Sequence, residues 1–367
     1  MRRVTALAVF AVLLTGCAKN APAPLPGAAL APSGLHSPWD MQQVPPTNAP
    51  YNCGPIIPLA SNISILNDNY RNNGNTAASE SVKAAAYGES SAAIADLAAR
   101  VTSAADAFQH NGSSQAAQCA LTLLASAASD HAMAGWMSSK DAIHEQTKGL
   151  RSVTIAYLKV RNSGALTAEE QSLILSWFQD IAHSQRDYYD HLECAVHAQH
   201  KVGCDYHNLW GSSAAYAVAS VGIATNDHGL FYWGLHGYRH AVEAIQPTGF
   251  IRSDLDGQWA VKCTLESAAA LVQLAEYGEL NGEPLYAYDG GHLHLLVHVA
   301  TRGLVDPTPF QDAARARQKL PSTIEGWQIG WATLYNRRFP DSVITGLLQQ
   351  SSDAGLYAWG GEPFGEN

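Results

Sequence analysis

The chain has 367 residues, of which 47% are apolar and 15% charged, so it can form a packed core and is not a disordered or low-complexity protein. Its 22 Lys and Arg against 32 Asp and Glu give a formal net charge of −10, which argues against nucleic acid as a partner. A chain of this length can still surround one core, as toroidal and barrel folds do.

The N-terminus predicts secretion and lipidation. Arg2 and Arg3 precede an apolar stretch that is too short to cross a bilayer, and Leu-Thr-Gly then leads to Cys17. This pattern resembles a bacterial lipoprotein signal, so we predict a signal peptide at residues 1–16 and a lipid on Cys17. An ordinary secretory signal is the alternative. Because Ala18 rather than Asp follows the cysteine, we expect a periplasmic protein that is anchored at the outer membrane.

The next segment predicts a spacer. Residues 17–50 are rich in Pro, Ala and Ser, which is typical of a semi-rigid tether between the lipid and a domain at residues 51–367. Five cysteines follow Cys17, and an oxidising compartment permits disulfides between them. Cys194 and Cys204 could close a short loop, and the odd number leaves at least one thiol free or paired outside the chain.

The rest of the chain has a helical pattern. Apolar residues recur at a spacing of three or four in the segments 89–108, 115–136, 149–161 and 167–192. Gly, Pro and Asn fall mainly between these segments, and strand-like alternation is scarce. We therefore predict an all-α fold of about ten to a dozen helices in antiparallel pairs. We expect these helical hairpins to surround a central cleft, which is the architecture of an incomplete α/α toroid.

The histidines do not predict a metal site. His294 and His298 share one helical face and His292 lies nearby, but a metal site needs more converging ligands and supporting groups. The sequence also contains no nucleophile-elbow, zinc-protease, Walker or dinucleotide-binding motif. We expect neither a metal nor a cofactor.

Residues 205–210 predict a saccharide-binding cleft. This segment, Asp-Tyr-His-Asn-Leu-Trp, joins a phenol, an imidazole, an amide and an indole just before an apolar helix. Aromatic faces stack on sugar rings, and amides bind hydroxyl or carboxylate groups. Five further tryptophans could extend such a wall, although core packing is the commoner fate for most tryptophans: Trp233, Trp259, Trp327, Trp331 and Trp359.

From about residue 119 to residue 348 the sequence resembles the alginate lyases of polysaccharide lyase family 5, the poly-mannuronate lyases. The resemblance rests on the segments 214–219, 230–233 and 281–282, and on others such as Asp306-Pro307. These are mostly scaffold positions, and the resemblance implies the family's fold, an incomplete α/α toroid. It also implies β-elimination on a polysaccharide, in which a base removes the C5 proton of a uronate, a neutralising group holds the carboxylate and an acid protonates the leaving oxygen.

The family's catalytic motif is altered in this chain. In the family, an Asn-Asn-His motif before a Trp supplies the neutralising group and the base, and a later Arg and Tyr supply binding and acid. If His207 is aligned with the base, Tyr206 stands on an asparagine, whereas an ungapped alignment puts Trp210 on the histidine. In both alignments, the positions of the family's Arg and Tyr fall near Gly257 and Thr264 of this chain, so neither residue is retained there. The resemblance therefore implies that the family's catalytic residues are not retained in their usual places.

We predict a periplasmic polysaccharide lyase with a rearranged site that acts on a uronate-containing exopolysaccharide. The catalytic candidates are His207 as base and Tyr206 or Tyr238 as acid. The substrate-binding candidates are Asn208, Trp210, Arg239, Arg252, Lys262 and Trp259. The alternative is a lyase-like lipoprotein that binds or guides an exopolysaccharide without cleaving it. A hydrolase that uses Asp254 and Asp256 is a third interpretation. The acidic balance favours a polymer with only occasional uronates, and the oligomeric state is left open.

Overall fold

A computed structural model describes residues 34–41, 44–65, 77–199 and 208–362. These ranges contain twelve α-helices and only isolated β-bridges, which confirms the predicted all-α class. The helices are α1 (Ala77–Asn111), α2 (Ser114–Ser129), α3 (Lys140–Val160), α4 (Ala168–Gln199), α5 (Leu209–Thr225), α6 (His228–Glu243), α7 (Ala260–Leu280), α8 (His292–Val305), α9 (Thr308–Ala314), α10 (Gly326–Ile329), α11 (Ala332–Arg338) and α12 (Ser342–Gln350). Within these ranges, none of the helices has the length and hydropathy of a membrane span.

The first eight helices form hairpins whose leading helices, α1, α3, α5 and α7, pack side by side as an inner layer. Neighbouring inner helices run in the same direction. At one end of the fold, Trp210 of α5 stacks on His144 of α3. At the other end, Arg161 after α3 donates a hydrogen bond to the Ile223 carbonyl near the end of α5. The N-terminal ends of the inner helices therefore meet at one end of the toroid, which we call the site end.

Small residues let the α5/α6 hairpin close tightly. A Cβ atom on Gly222 of α5 would lie 2.5 Å from the Phe231 backbone nitrogen, and one on Gly234 of α6 would lie 2.5 Å from the Ala215 carbonyl oxygen. Both distances are shorter than real Cβ contacts, so the two helices could not approach this closely with alanine at these positions. The Ala- and Gly-rich composition of α5 therefore suits an inner helix that is buried on nearly every side.

The C-terminal segment is part of the packed fold. Arg151 of α3 donates hydrogen bonds to the Ala358 carbonyl and to Ser213 Oγ, and its guanidinium lies 3.7 Å from the centre of the Trp359 ring. Lys159 donates a hydrogen bond of 2.7 Å to the Gly360 carbonyl. Both cations are buried, and buried cations need such partners. The residues that follow α12 thus close over α1 and α3.

Residues 34–41 dock on the end opposite the site end. They contact the residues that follow the last turns of three inner helices, Arg161, Asn226 and Asn281. Asp40 forms an ion pair with Arg161. Although burial opposes it, this guanidinium holds the pKa of Asp40 below its ordinary value. The tether prediction covers these residues, yet residues 34–41 are packed against the helical domain.

The structure contains a disulfide between Cys53 and Cys119, which ties the segment before α1 to the start of α2. Cys263 of α7 is a free thiol. The Cys194 side chain and Cys204 lie outside the described part of the chain, so the short loop between them stays a prediction.

Candidate functional site

The start of α5 is capped by Asn208. Its Oδ1 accepts a hydrogen bond of 2.9 Å from the Trp210 backbone N–H, which satisfies one of the free donors at the helix end. Among the described residues, none accepts a hydrogen bond from the Asn208 amide nitrogen. The Asn208 side chain is only 6% exposed, so a substrate would meet no more than the edge of its amide, whose two N–H donors are of the kind that can bind a carboxylate.

Asp254 supports the same turn from the other side. Its carboxylate accepts the Leu209 backbone N–H at 3.0 Å and the Ser267 hydroxyl at 2.6 Å, so it joins α5 to α7. Asp254 is 0% exposed, and this burial, aided by nearby Glu266, raises its pKa to about 7 despite the two hydrogen bonds. An enclosed carboxylate cannot reach a substrate, so the structure argues against the hydrolase interpretation of Asp254 and Asp256.

One face of α3 contributes a ring and a cation. The His144 imidazole stacks on the Trp210 indole with centroids 3.7 Å apart and planes at 4°. Lys148 Nζ lies 5.4 Å from the centre of the same indole and forms an ion pair with Glu145. The indole is therefore held between its neighbours in one orientation. Trp210 remains half-buried, so part of it faces the site end.

A second group of aromatic and cationic side chains surrounds the start of α7. Lys262 Nζ lies 5.8 Å from the centre of the Trp259 ring and 5.7 Å from that of Trp327. Lys319 Nζ lies 4.8 Å from the Trp259 ring centre. Lys262 is also 3.8 Å from Glu266. The site end therefore carries a local concentration of cations and indoles in a chain whose net charge is negative.

The family model for alginate lyases matches residues 34–310. The chain belongs to the alginate lyase family. It is 28% identical over 260 residues to a polysaccharide lyase of Stenotrophomonas maltophilia (strain K279a), which covers 70% of this chain and 73% of that protein. It is 25% identical over 263 residues to an alginate lyase of Pseudomonas fluorescens (strain SBW25), which covers 68% and 67%.

Solved structures share the fold of this family member. A tyrosine-to-phenylalanine variant of alginate lyase A1-III complexed with a tetrasaccharide matches with a TM-score of 0.67 and 17% identity over 86% of each chain. The same lyase from Sphingomonas species A1 matches with a TM-score of 0.63 and 16% identity, over 89% of this chain and 86% of that one. These likenesses confirm the predicted α/α toroid.

The structure gathers some of the predicted site residues of this alginate lyase family member. Asn208 and Trp210 lie together at the start of α5, and Lys262 and Trp259 lie together at the start of α7. Arg252 is exposed, two residues before Asp254. The catalytic candidates His207 and Tyr206 fall outside the described residues, so their roles stay predictions.

Two predicted residues do not lie in this group. Tyr238 is completely buried, and its hydroxyl donates a hydrogen bond of 2.7 Å to the Leu285 carbonyl. Burial raises the pKa of Tyr238 well above its ordinary value, so its assignment as an acid in an open cleft is wrong. Arg239 pairs with Glu283 at 2.8 Å, beside the segment that follows α7. Its guanidinium is therefore engaged away from Asn208.

The wider tryptophan wall is mostly absent from the site end. Trp331 is buried and donates a hydrogen bond to the Gln328 carbonyl, and Trp359 is covered by Arg151. In the described part of the chain, Trp210, Trp259 and Trp327 lie beside the lysines of the site end.

The residues that α3 places beside Trp210 were not among the predicted site residues. His144, Lys148 and Arg151 are spaced by four and then three residues, so they follow one helical face. A polar face on a helix that is otherwise suited to the core is the signal that would have identified them.

Two of the histidines that were considered as metal ligands have other partners. His294 Nδ1 lies 2.7 Å from the Tyr335 hydroxyl, and His292 Nδ1 lies 2.9 Å from Asp289. Across the described ranges, no group of three or more potential ligands is arranged to hold a metal ion.

Proposed function

We propose that this protein is a polysaccharide lyase that cleaves a uronate-containing exopolysaccharide by β-elimination at the site end. The observation that carries the proposal is the grouping of Asn208, Trp210 and Lys148 around the first turn of α5. The family and the fold support lyase chemistry, and a solved structural neighbour is complexed with a tetrasaccharide.

The most demanding requirement of this reaction is stabilisation of the negative charge that develops when C5 loses its proton. The two amide N–H donors of Asn208 and the ammonium group of Lys148 suit the uronate carboxylate, which takes up that charge. Fixed donors act without the reorganisation that water would need. We assign neutralisation to these two side chains.

His207 immediately precedes Asn208, so we propose it as the base that accepts the C5 proton. A neutral imidazole can accept a proton near physiological pH. As the C5 proton leaves, the C4–O bond breaks and a C4=C5 double bond forms. The leaving oxygen takes a proton from an acid, for which Tyr206 is the remaining candidate.

The lysines of the site end can make individual contacts with an anionic saccharide. Lys148, Lys262 and Lys319 all lie beside indoles at the site end. Because Glu145 lies beside Lys148 and Glu266 beside Lys262, these contacts would be local and would not come from a positive field over the whole surface. Trp210 and Trp259 offer apolar surface to sugar rings.

We further propose that Cys17 carries the lipid and that the domain works in the periplasm. The Cys53–Cys119 disulfide is consistent with an oxidising compartment. Fractionation tests this: wild type should sediment with outer membranes, and Cys17→Ala should not. Equal distributions would contradict the anchor.

The activity is tested by following the ultraviolet absorbance of unsaturated uronyl ends during digestion of a panel of polymers, from polyuronates to sparsely charged exopolysaccharides. We expect a rise with at least one uronate-containing polymer and none with a neutral one. A flat trace across the panel, with polymer binding retained, would overturn the lyase proposal in favour of a non-catalytic exopolysaccharide-binding protein.

A further inference from the structure

Asp254 has a buried carboxylate that the proposed reaction does not use. It contacts neither solvent nor any surface that a substrate could reach. Its two oxygens instead join two inner helices, one through the Leu209 N–H and the other through the Ser267 hydroxyl. A buried carboxylate is destabilising unless such bonds satisfy it, and a neutral side chain could make similar bonds without the charge.

We propose that Asp254 is a positioning residue for the lyase site, which holds the first turn of α5, and with it Asn208, in register with α7. This inference rests on the proposed function for its catalytic consequence. Its structural part, the anchoring of α5, stands on the two hydrogen bonds alone.

The first turn of α5 shows why the contact matters. The first N–H groups of a helix have no partner within the helix. Asn208 satisfies the N–H of Trp210, and Asp254 satisfies the N–H of Leu209. The two side chains therefore hold consecutive N–H groups of the same turn. Asp254 ties this turn to α7, and in active sites a displacement of about 1 Å can cost on the order of 10²-fold in rate.

The anchor also depends on pH. The groups that face the Asp254 carboxyl are Glu266, Ser267 and Cys263 from α7 and the Leu209 N–H from α5. Burial, with Glu266, raises the pKa of Asp254 to about 7. Above that pH the carboxylate is ionised and its bond to Leu209 is charge-assisted, whereas below it a weaker neutral bond replaces it. The first turn of α5 should therefore tighten as the pH rises through about 7.

The test compares wild type with Asp254→Asn, which is nearly isosteric, keeps an acceptor for Leu209 and a donor for Ser267, and never ionises. At pH 8, where only wild type has the charge-assisted bond, kcat on a uronate polymer should be about tenfold lower in the variant with KM nearly unchanged, and the difference should disappear below pH 6. The pH profile of kcat should lose the ionisation near pH 7 that belongs to Asp254. The ionisation of the catalytic base should remain in the profile. Asp227→Asn is the matched control, because Asp227 caps the outer helix α6 through the Leu230 N–H. It should leave kcat and the pH profile unchanged.

Amide hydrogen exchange provides a readout that does not need turnover. In wild type, the protection of the backbone amides of residues 209–212 against exchange, corrected for intrinsic exchange, should rise between pH 6 and pH 8. This range extends about one pH unit on either side of the Asp254 pKa. In Asp254→Asn the protection should be flat. If wild type cleaves no polymer, the proposed function fails, and exchange alone decides whether Asp254 anchors α5. If exchange in the variant follows the wild-type curve, or if an active enzyme keeps its kcat and pH profile in the variant, the positioning role is overturned.

Discussion

Asn208 is predicted to have two separable roles, as the cap of α5 and as a donor to the substrate carboxylate. Its Oδ1 caps the helix at 2.9 Å from the Trp210 nitrogen, which leaves the amide nitrogen for the proposed contact with the substrate carboxylate. Asn208→Ala should lose both, so we expect a loss of about 0.5–2 kcal/mol in the free energy of unfolding. Loss of one donor to the developing negative charge should also lower kcat by about 10²- to 10³-fold.

Asn208→Ser separates the two roles, because serine caps helices about as well as asparagine but has no amide donors. This variant should keep the wild-type melting temperature and lose nearly as much kcat as Asn208→Ala. Asn208→Asp should cap well and place a negative charge at the helix N-terminus, which stabilises the helix but repels a uronate. Ser139→Ala, which removes the cap of α3 at 3.1 Å from the Ala142 nitrogen, is the control for stability loss alone. The assignment is refuted if Asn208→Ser turns over polymer at the wild-type rate.

Three further predictions use the same absorbance and unfolding assays. His207→Ala should lower kcat by about 10²- to 10⁴-fold without changing the melting temperature or polymer binding, whereas Trp210→Ala should weaken binding by up to about tenfold; full activity in His207→Ala would move the base elsewhere. Lys148→Met should reduce kcat/KM on a polyuronate by about 10- to 100-fold and flatten its salt dependence, and an unchanged salt dependence would argue against contact with the carboxylate. Reduction of the Cys53–Cys119 disulfide, which spans 66 residues, should lower the free energy of unfolding by up to about 4 kcal/mol in a denaturant titration, and equal midpoints with and without reductant would contradict it.

The fold was predictable because its information is local. Ala-rich segments with apolar residues at helical spacing define the inner and outer helices, and the Asn, Gly and Pro between them define the hairpins. The apolar helix predicted after residues 205–210 is α5, which begins at Leu209, and Asn208, predicted as a ligand of the substrate, also caps it. These features depend on neighbours within a turn or two.

The remaining features depend on contacts between distant parts of the chain. The composition of residues 34–41 resembles a tether, yet Asp40 pairs with Arg161, 121 positions away. Tyr238 is a plausible acid in the sequence, and only its hydrogen bond to Leu285, 47 positions away, removes it from that role. Lys148 joins the site because α3 lies beside α5. Local pattern cannot specify such partners, because tertiary packing decides which face of each helix meets a neighbour.

The buried charge of Asp254 leads to a prediction in which stability and activity move in opposite directions. Its pKa of about 7 in the folded chain lies above the ordinary value of 3.8, so folding favours the protonated form. The associated stabilisation is complete below about pH 4 and is lost as the pH rises to about 7, on the order of 4 kcal/mol in total. Asp254→Asn removes this dependence, so the variant should be more stable than wild type at pH 8 while its kcat is lower. Urea titrations of both proteins at pH 5 and pH 8 measure the difference. A carboxylate kept at such a cost between α5 and α7 makes physical sense where precise placement of Asn208 matters more than maximal stability. A variant that is destabilised equally at both pH values would mean that Asp254 is merely a structural hydrogen-bonding group.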